Sequence, residues 1–346
     1  RVGPGAGMAI SVTSTDWLEV ERQLEQKELE LLKKHGVDVP ASHLEGYKYT
    51  PQTRVVDKQS WDVVPVPART FRCGSYNWTH KVVNFEVGEG IAYITLNRPQ
   101  ANNALNEEVL QGLSDACTEL HTRQDVRVVV LRAEGKMFCA GGDPRSFQEA
   151  ASMSEPDSRK SAVGLMKFLY YIQCLPQFTV GLAQGSAMGT GLGLLAACDI
   201  VCTVSNARFL ASEVKLGTCP ATVAPVLTSK VGPAFAKRIL CTGENLTATT
   251  AKEMGLITDI VDDELDFSKY VEVICEKITL CAPLASARSK RLVQNVSGQP
   301  LSLQLMTYTG SQLADVRISD EAVKGMVAVQ AKTKPFWAEN AVRPLY

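Results

Sequence analysis

The stretch from Phe178 to Cys198 (FTVGLAQGSAMGTGLGLLAAC) constrains this chain more than any other, because 21 consecutive residues carry no charge. A helix of that length spans a bilayer. The run nevertheless holds five glycines together with Gln184 and Ser186, and Asp199 follows it directly. A buried strand, a Gly-rich turn and a buried helix fit it better, so no transmembrane segment is expected. Hiding such a run needs a large core, and 346 residues that are 45% hydrophobic supply one. The 36 Lys+Arg nearly balance the 37 Asp+Glu, and no run of five basic residues occurs. Nucleic acid is therefore not an expected partner. Ten cysteines without a CxxC pair, and only four histidines, offer no zinc spacing. They read as reduced, mostly buried thiols of an intracellular protein, and no metal is expected.

Residues 1–79 read as an extension. The sequence begins at Arg1, with RVGPGAG ahead of Met8, and has no signal-peptide pattern. The mitochondrial matrix or another organelle is the expected compartment. Ser14 or Thr15 caps a helix of about residues 15–35 that stops at Gly36. Trp17, Val20, Leu24 and Leu31 share one face, opposite dense Glu and Lys. That face needs a docking surface, either on the chain's own globular part or on a protein partner. Pro40, Pro51, Pro65 and Pro67 then mark an extended arm, and the boundary falls near His80.

Residues 80–346 read as one α/β domain. VVNFEV and IAYITL flank Gly88-Glu89-Gly90, a hairpin pattern. Asn106 opens a helix with Glu107 and Glu108 at its positive end. Strand VRVVVLR, a helix around Lys160–Gln173, strand FTVGLAQ and strand DIVCTV follow. After Pro225 the pattern is helical at 229–241, 247–255, 265–281, 284–295, 301–313 and 319–334. The expectation is one α/β core with a helical C-terminal layer.

Two loops share a physical character. FCAGGD (138–143) follows VRVVVLR, and GSAMGTGLG (185–193) follows FTVGLAQ. Small residues at a strand end let backbone N–H groups approach a ligand atom, and a helix starting just beyond adds its positive end. Facing each other, they would make a two-donor pocket for an oxyanion. Two tight turns without a ligand are the plainer alternative. GTGLG also grazes a dinucleotide fingerprint, but its spacing is wrong and the ribose acid would have to be Glu213.

Six segments in this order resemble the crotonase (enoyl-CoA hydratase/isomerase) superfamily: ITLNRPQANNALN, VVVLRAEGKMFCAGGD, GSAMGTGLGLLAACDIV, ARFLASEVKLGTCPATVAPVLTSKVG, TATTAKEMGLI and SDEAVKGMVAVQAKTKPFW. The resemblance covers roughly residues 80–337. It implies a spiral of ββα turns, C-terminal helices that assemble trimers or hexamers, and acyl-CoA or acyl-carrier-protein thioesters as substrates, with no permanent cofactor. It places the two oxyanion amides at Gly142 and Thr190, and the nucleotide–pantetheine path along Asn103, Ala104, Ala140, Gly141 and Asp143. Glu213, in ARFLASE, matches a catalytic glutamate.

The departures matter as much. Thr190 stands where the family has Gly, and Ser212 where it has Pro. Gly193 stands where hydratases of the family carry a second glutamate. Adding water across a double bond divides comfortably between two carboxylates, whereas moving a double bond needs one base that takes a proton and returns it. A lone Glu213 beside an enolate-stabilising pocket therefore suits isomerisation, thioester hydrolysis or dehydration. Asp143 reads as a turn-stabilising residue or a substitute acid, and His121 as a helix C-terminal residue. Cys139 as a nucleophile lacks a histidine in any matched motif. The leading expectation is a thioester enzyme with Glu213 as general acid/base. The alternative is a catalytically weakened subunit kept as a structural or binding component of a larger complex.

Overall fold

The computed structural model describes residues 76–146, 152–339 and 342–344. The helix and Pro-containing arm expected before Tyr76 lie outside the described residues. A seven-stranded sheet runs in the order β1-β2-β3-β4-β5-β7-β10. Its edge is an antiparallel meander of β1 (Tyr76–His80), β2 (Val83–Gly88) and β3 (Ile91–Leu96). Tyr76–Thr79, which the sequence pattern grouped with the arm, are thus part of the sheet. Glu89 (φ 48°) and Gly90 (φ 79°) close the β2–β3 hairpin, the left-handed pair that a two-residue turn requires.

The remaining strands of this sheet run parallel: β4 (Val128–Ala133), β5 (Phe178–Ala183), β7 (Ile200–Val204) and β10 (Asp259–Val261). The near-continuous apolar runs of β4, β5 and β7 are what a sheet covered on both faces needs. Every residue of β3 is buried. Asn106 caps α1 (Glu107–Thr122) by accepting a hydrogen bond from the Val109 N–H. Val109, Leu113, Ala116, Cys117 and Leu120 then face the core. α2 (Glu155–Gln173) begins five residues before the expected helix, because Ser154 caps it and Pro156 occupies its first turn.

A second ladder organises the chain. Each long strand from β3 to β7 is followed by a short segment that pairs with the preceding short segment, and only then by a helix. Leu105 bridges Gly142, and Cys139 bridges Ala187. β6 (Ala187–Met188) pairs with β8 (Arg208–Leu210), which pairs with β9 (Leu246–Thr247). The uncharged run from Phe178 is therefore β5, β6 and the wholly buried α3 (Thr190–Ala197). Among the described residues no helix is long and apolar enough to cross a membrane.

The helical part comprises α4 (Ala224–Thr242), α5 (Ala248–Glu253), α6 (Phe267–Thr279), α7 (Pro283–Val296), α8 (Leu303–Arg317) and α9 (Asp320–Ala331). α4 starts five residues earlier than its pattern indicated and kinks at Gly232, just before Pro233. The α/β core with a helical C-terminal layer is the expected architecture.

Candidate active site

The loop between β4 and α2 is held by the loop between β3 and α1. Asn102 (φ 51°) and Asn103 (φ 54°) both turn left-handed, a conformation Asn tolerates well. The buried Asn103 amide donates to the Glu134 and Met137 carbonyls at 2.8 and 2.9 Å. Ala140 N–H donates to the Asn102 carbonyl, and Leu105 N–H to the Gly141 carbonyl. Asp143 N–H donates in turn to the Leu105 carbonyl. These last two bonds are the parallel bridge between Leu105 and Gly142, and they leave the Gly142 amide itself without a described acceptor.

The second loop meets the first at van der Waals limits. Met188 N–H donates to the Cys139 carbonyl at 2.9 Å. A Cβ on Gly141 (φ 89°) would stand 2.7 Å from the Met188 carbonyl oxygen and 3.5 Å from the Thr190 nitrogen. A Cβ on Gly191 would meet the Cys139 carbonyl oxygen at 2.6 Å. Glycine at both positions lets the loops touch backbone to backbone. Thr190 is the first residue of α3, so no preceding turn takes its N–H. The residue with a backbone only glycine adopts readily is Gly189 (φ 50°, ψ −124°), not Thr190. That explains why Thr is accommodated where a family glycine was expected.

Glu213 arrives from β8 as the first residue of a short 3-10 helix, Glu213–Leu216. A Cβ on Gly189 would lie 2.7 Å from Glu213 Oε1, so the carboxyl rests against the residue before Thr190. Oε2 is buried and has no hydrogen-bond partner among the described residues. Burial pushes the carboxyl above its ordinary range, with its own backbone N–H partly opposing. Neither Lys215 nor Arg208 neutralises it among the described ion pairs; the Arg208 guanidinium donates to the Asn206 and Ala207 carbonyls.

The Gly193 position is filled rather than open. A Cβ there would stand 3.1 Å from Leu169 Cδ1 of α2 and 3.4 Å from Val223 Cγ2. Both partners are buried apolar side chains.

Other expected residues have structural work. Asp143 Oδ1 accepts from the Arg145 N–H at 3.0 Å, and Oδ2 pairs with Arg98 Nη1 at 2.6 Å. The Arg145 amide and then the Arg98 guanidinium hold its carboxyl below the ordinary range. Arg98 Nη1 also donates to the Ala104 carbonyl at 3.0 Å. Asn103, Ala104, Ala140, Gly141 and Asp143 thus form one interlocked cluster beside the Gly142 amide. Cys139 is fully buried, donates to the Asn103 carbonyl, and burial pushes its thiol up to about 12, so it stays protonated and unreactive. His121 Nδ1 lies 2.7 Å from the Cys117 carbonyl near the end of α1, and no described hydrogen bond ties it to these loops. Among the described residues no group of three or more His, Cys, Asp or Glu is gathered for a metal ion. Arg98 and Val223 lie within segments that carry the resemblance, but nothing in those segments marks their partners, and Leu169 lies outside them.

Known proteins are similar to this chain in sequence and fold. Residues 86–340 match the family described as Enoyl-CoA hydratase/isomerase. A short-chain-enoyl-CoA hydratase of Clostridium acetobutylicum is 31% identical over 205 residues, 59% of this chain and 77% of that protein. The enoyl-CoA hydratase AKT6-1 of Alternaria alternata is also 31% identical over 205 residues, 59% of this chain and 67% of that protein. The crystal structure of an enoyl-CoA hydratase from Shewanella pealeana superposes with a TM-score of 0.71 at 27% identity, covering 74% of this chain and 96% of that one. The α/β fold is the crotonase fold, and the chain belongs to the enoyl-CoA hydratase/isomerase family.

Proposed function

We propose that this chain binds an acyl thioester of coenzyme A or acyl-carrier protein and moves a proton on its acyl group. The Gly142 and Thr190 N–H groups receive the thioester oxygen as it becomes an enolate oxyanion. Glu213 is the general base and acid. The observation that carries this reading is the Glu213 carboxyl against Gly189, half-buried, with Oε2 unpartnered among the described residues. Donors aimed at a developing oxyanion typically supply ~10²–10³ in rate each, and a positioned base ~10²–10⁴.

The reaction class follows from Gly193. Gly193 supplies no second carboxylate to hold water, and a Cβ there would already press on Leu169 and Val223. Isomerisation of an enoyl thioester needs none. Glu213 removes a proton from the α-carbon, the oxyanion pocket holds the dienolate, and the same carboxyl returns the proton at the γ-carbon. The raised Glu213 carboxyl strengthens it as a proton acceptor. Because the base must be ionised, the rate rises with pH through that raised range and then levels.

The test is α-carbon exchange in deuterated water across enoyl-, 3-hydroxyacyl- and glutaconyl-type thioesters. We expect exchange with the parent chain and a loss of ~10²–10⁴ in Glu213→Gln, with thioester binding retained. Equal exchange in the two proteins would refute the mechanism.

A second reading has its own observation. α8 and α9 expose Leu303, Met306 and Leu313, and Val323, Met326 and Val327. Such a surface fits assembly, either as a homotrimer or hexamer of active copies or as a structural subunit within a larger complex. Sedimentation with acyl-CoA separates them. A discrete homo-oligomer that binds the thioester supports the enzyme, and a hetero-complex without CoA binding supports the scaffold.

A further inference from the structure

Asp143 poses an electrostatic problem for the site proposed above. Its carboxylate follows Gly142 directly, so a negative charge stands one residue from the amide meant to receive an oxyanion. A fixed negative charge in this loop opposes a negative charge developing at the Gly142 amide, the more so where little water screens it. Yet the loop needs Asp143: Oδ1 accepts the Arg145 N–H and so turns the chain into the segment after Gly142. The side chain is only 8% exposed, leaving solvent little access to it.

Arg98 resolves the conflict. It stands 45 residues earlier, between β3 and the 3-10 turn Pro99–Ala101, and its side chain is 17% exposed. Nη1 reaches Asp143 Oδ2 at 2.6 Å and the Ala104 carbonyl at 3.0 Å. Its backbone is fixed as well: Arg98 N–H donates to Asn103 Oδ1 at 2.8 Å, and Asn103 N–H donates to the Arg98 carbonyl at 2.9 Å. The cation is thus locked to the same two loops whose bridge, Leu105 to Gly142, leaves the Gly142 amide available.

We infer that Arg98 is a positioning residue that acts through Asp143. It cancels the carboxylate's charge beside the oxyanion pocket and ties the 98–104 loop to the Gly142 amide. The inference rests on the proposed function, and it assigns to Arg98 a role in turnover beyond loop stability. A guanidinium suits this task, since its planar fork presents several donors at fixed angles.

The experiment compares Arg98→Gln, Arg98→Lys and the double variant Arg98→Gln/Asp143→Asn by α-proton exchange and by melting temperature. Uncovering the Asp143 charge should lower kcat about 10- to 100-fold in Arg98→Gln, with KM within about twofold. Removing that charge in the double variant should recover most of the loss. A double variant no faster than Arg98→Gln would overturn the inference, as would an Arg98→Gln variant with the parent kcat. If Arg98→Gln does not fold, Arg98→Lys decides. Retained charge keeps kcat within about fivefold of the parent, and a larger fall with the charge still present overturns the assignment. Absence of exchange in the parent chain across the whole panel would instead refute the proposed function.

Discussion

The spiral core and the C-terminal helices are built on opposite principles. In the core, α3 buries all eight of its residues, and the loops at its start touch backbone to backbone. In the C-terminal part, α7 and α8 bury no residue and α9 buries only Ala328. Polar tethers dock α7 instead. Lys290 Nζ donates to the Gln177 carbonyl and pairs with Asp199 at 2.7 Å, and Gln294 donates to the Gln173 carbonyl. Glu321 of α9 accepts the Leu284 and Ala285 amides at the start of α7. The lesson is a division of labour. The core's close packing fixes two amides and a carboxyl, while the outer helices leave apolar side chains exposed.

The largest effect should come from the core. Leu169→Ala empties a buried site against Gly193 and should cost about 2–5 kcal/mol, read by denaturant unfolding. A loss under about 1 kcal/mol would mean that this wall is looser than the contacts imply. Lys290→Met comes next. It removes a mostly buried cation but leaves Asp199 its two Thr179 donors, so about 1–2 kcal/mol is expected from the same unfolding curve. An effect equal to that of Leu169→Ala would erase the contrast between the regions. The smallest is Val327→Ser on the exposed face of α9. It should leave monomer stability within about 0.5 kcal/mol yet lower the sedimentation-derived association constant. Unchanged association would remove this face from the assembly surface.

Much of this division is legible in the chain itself, and the exceptions have physical reasons. β3, β4 and β5 declare themselves as apolar runs, and Asn106 announces α1 by its capping chemistry. The start of α2 was equally readable in Ser154 followed by Glu155 and Pro156, but a polar first turn hides it from a search for apolar periodicity. The second ladder is different. Leu105, Gly142, Cys139 and Ala187 pair one residue at a time, and single bridges leave no period-2 trace. The functional cluster divides in the same way. The small residues at 140–142 and 189–191 mark backbone that comes close to something, which local sequence expresses well. Leu169 approaches Gly193 from a neighbouring helix, and Arg98 approaches Asp143 across 45 residues. Neither meeting has a signature until the chain is folded.

The paired bridge between Cys139 and Ala187 has one more consequence. The two amides sit on successive turns of the spiral, so their separation is gauged by main-chain hydrogen bonds and by glycine contacts. That gauge is indifferent to which side chains flank the loops. A chain of this design can change the side chains around these loops, position 193 included, while the two amides keep the same spacing. Chemistry becomes an interchangeable fitting on a fixed instrument.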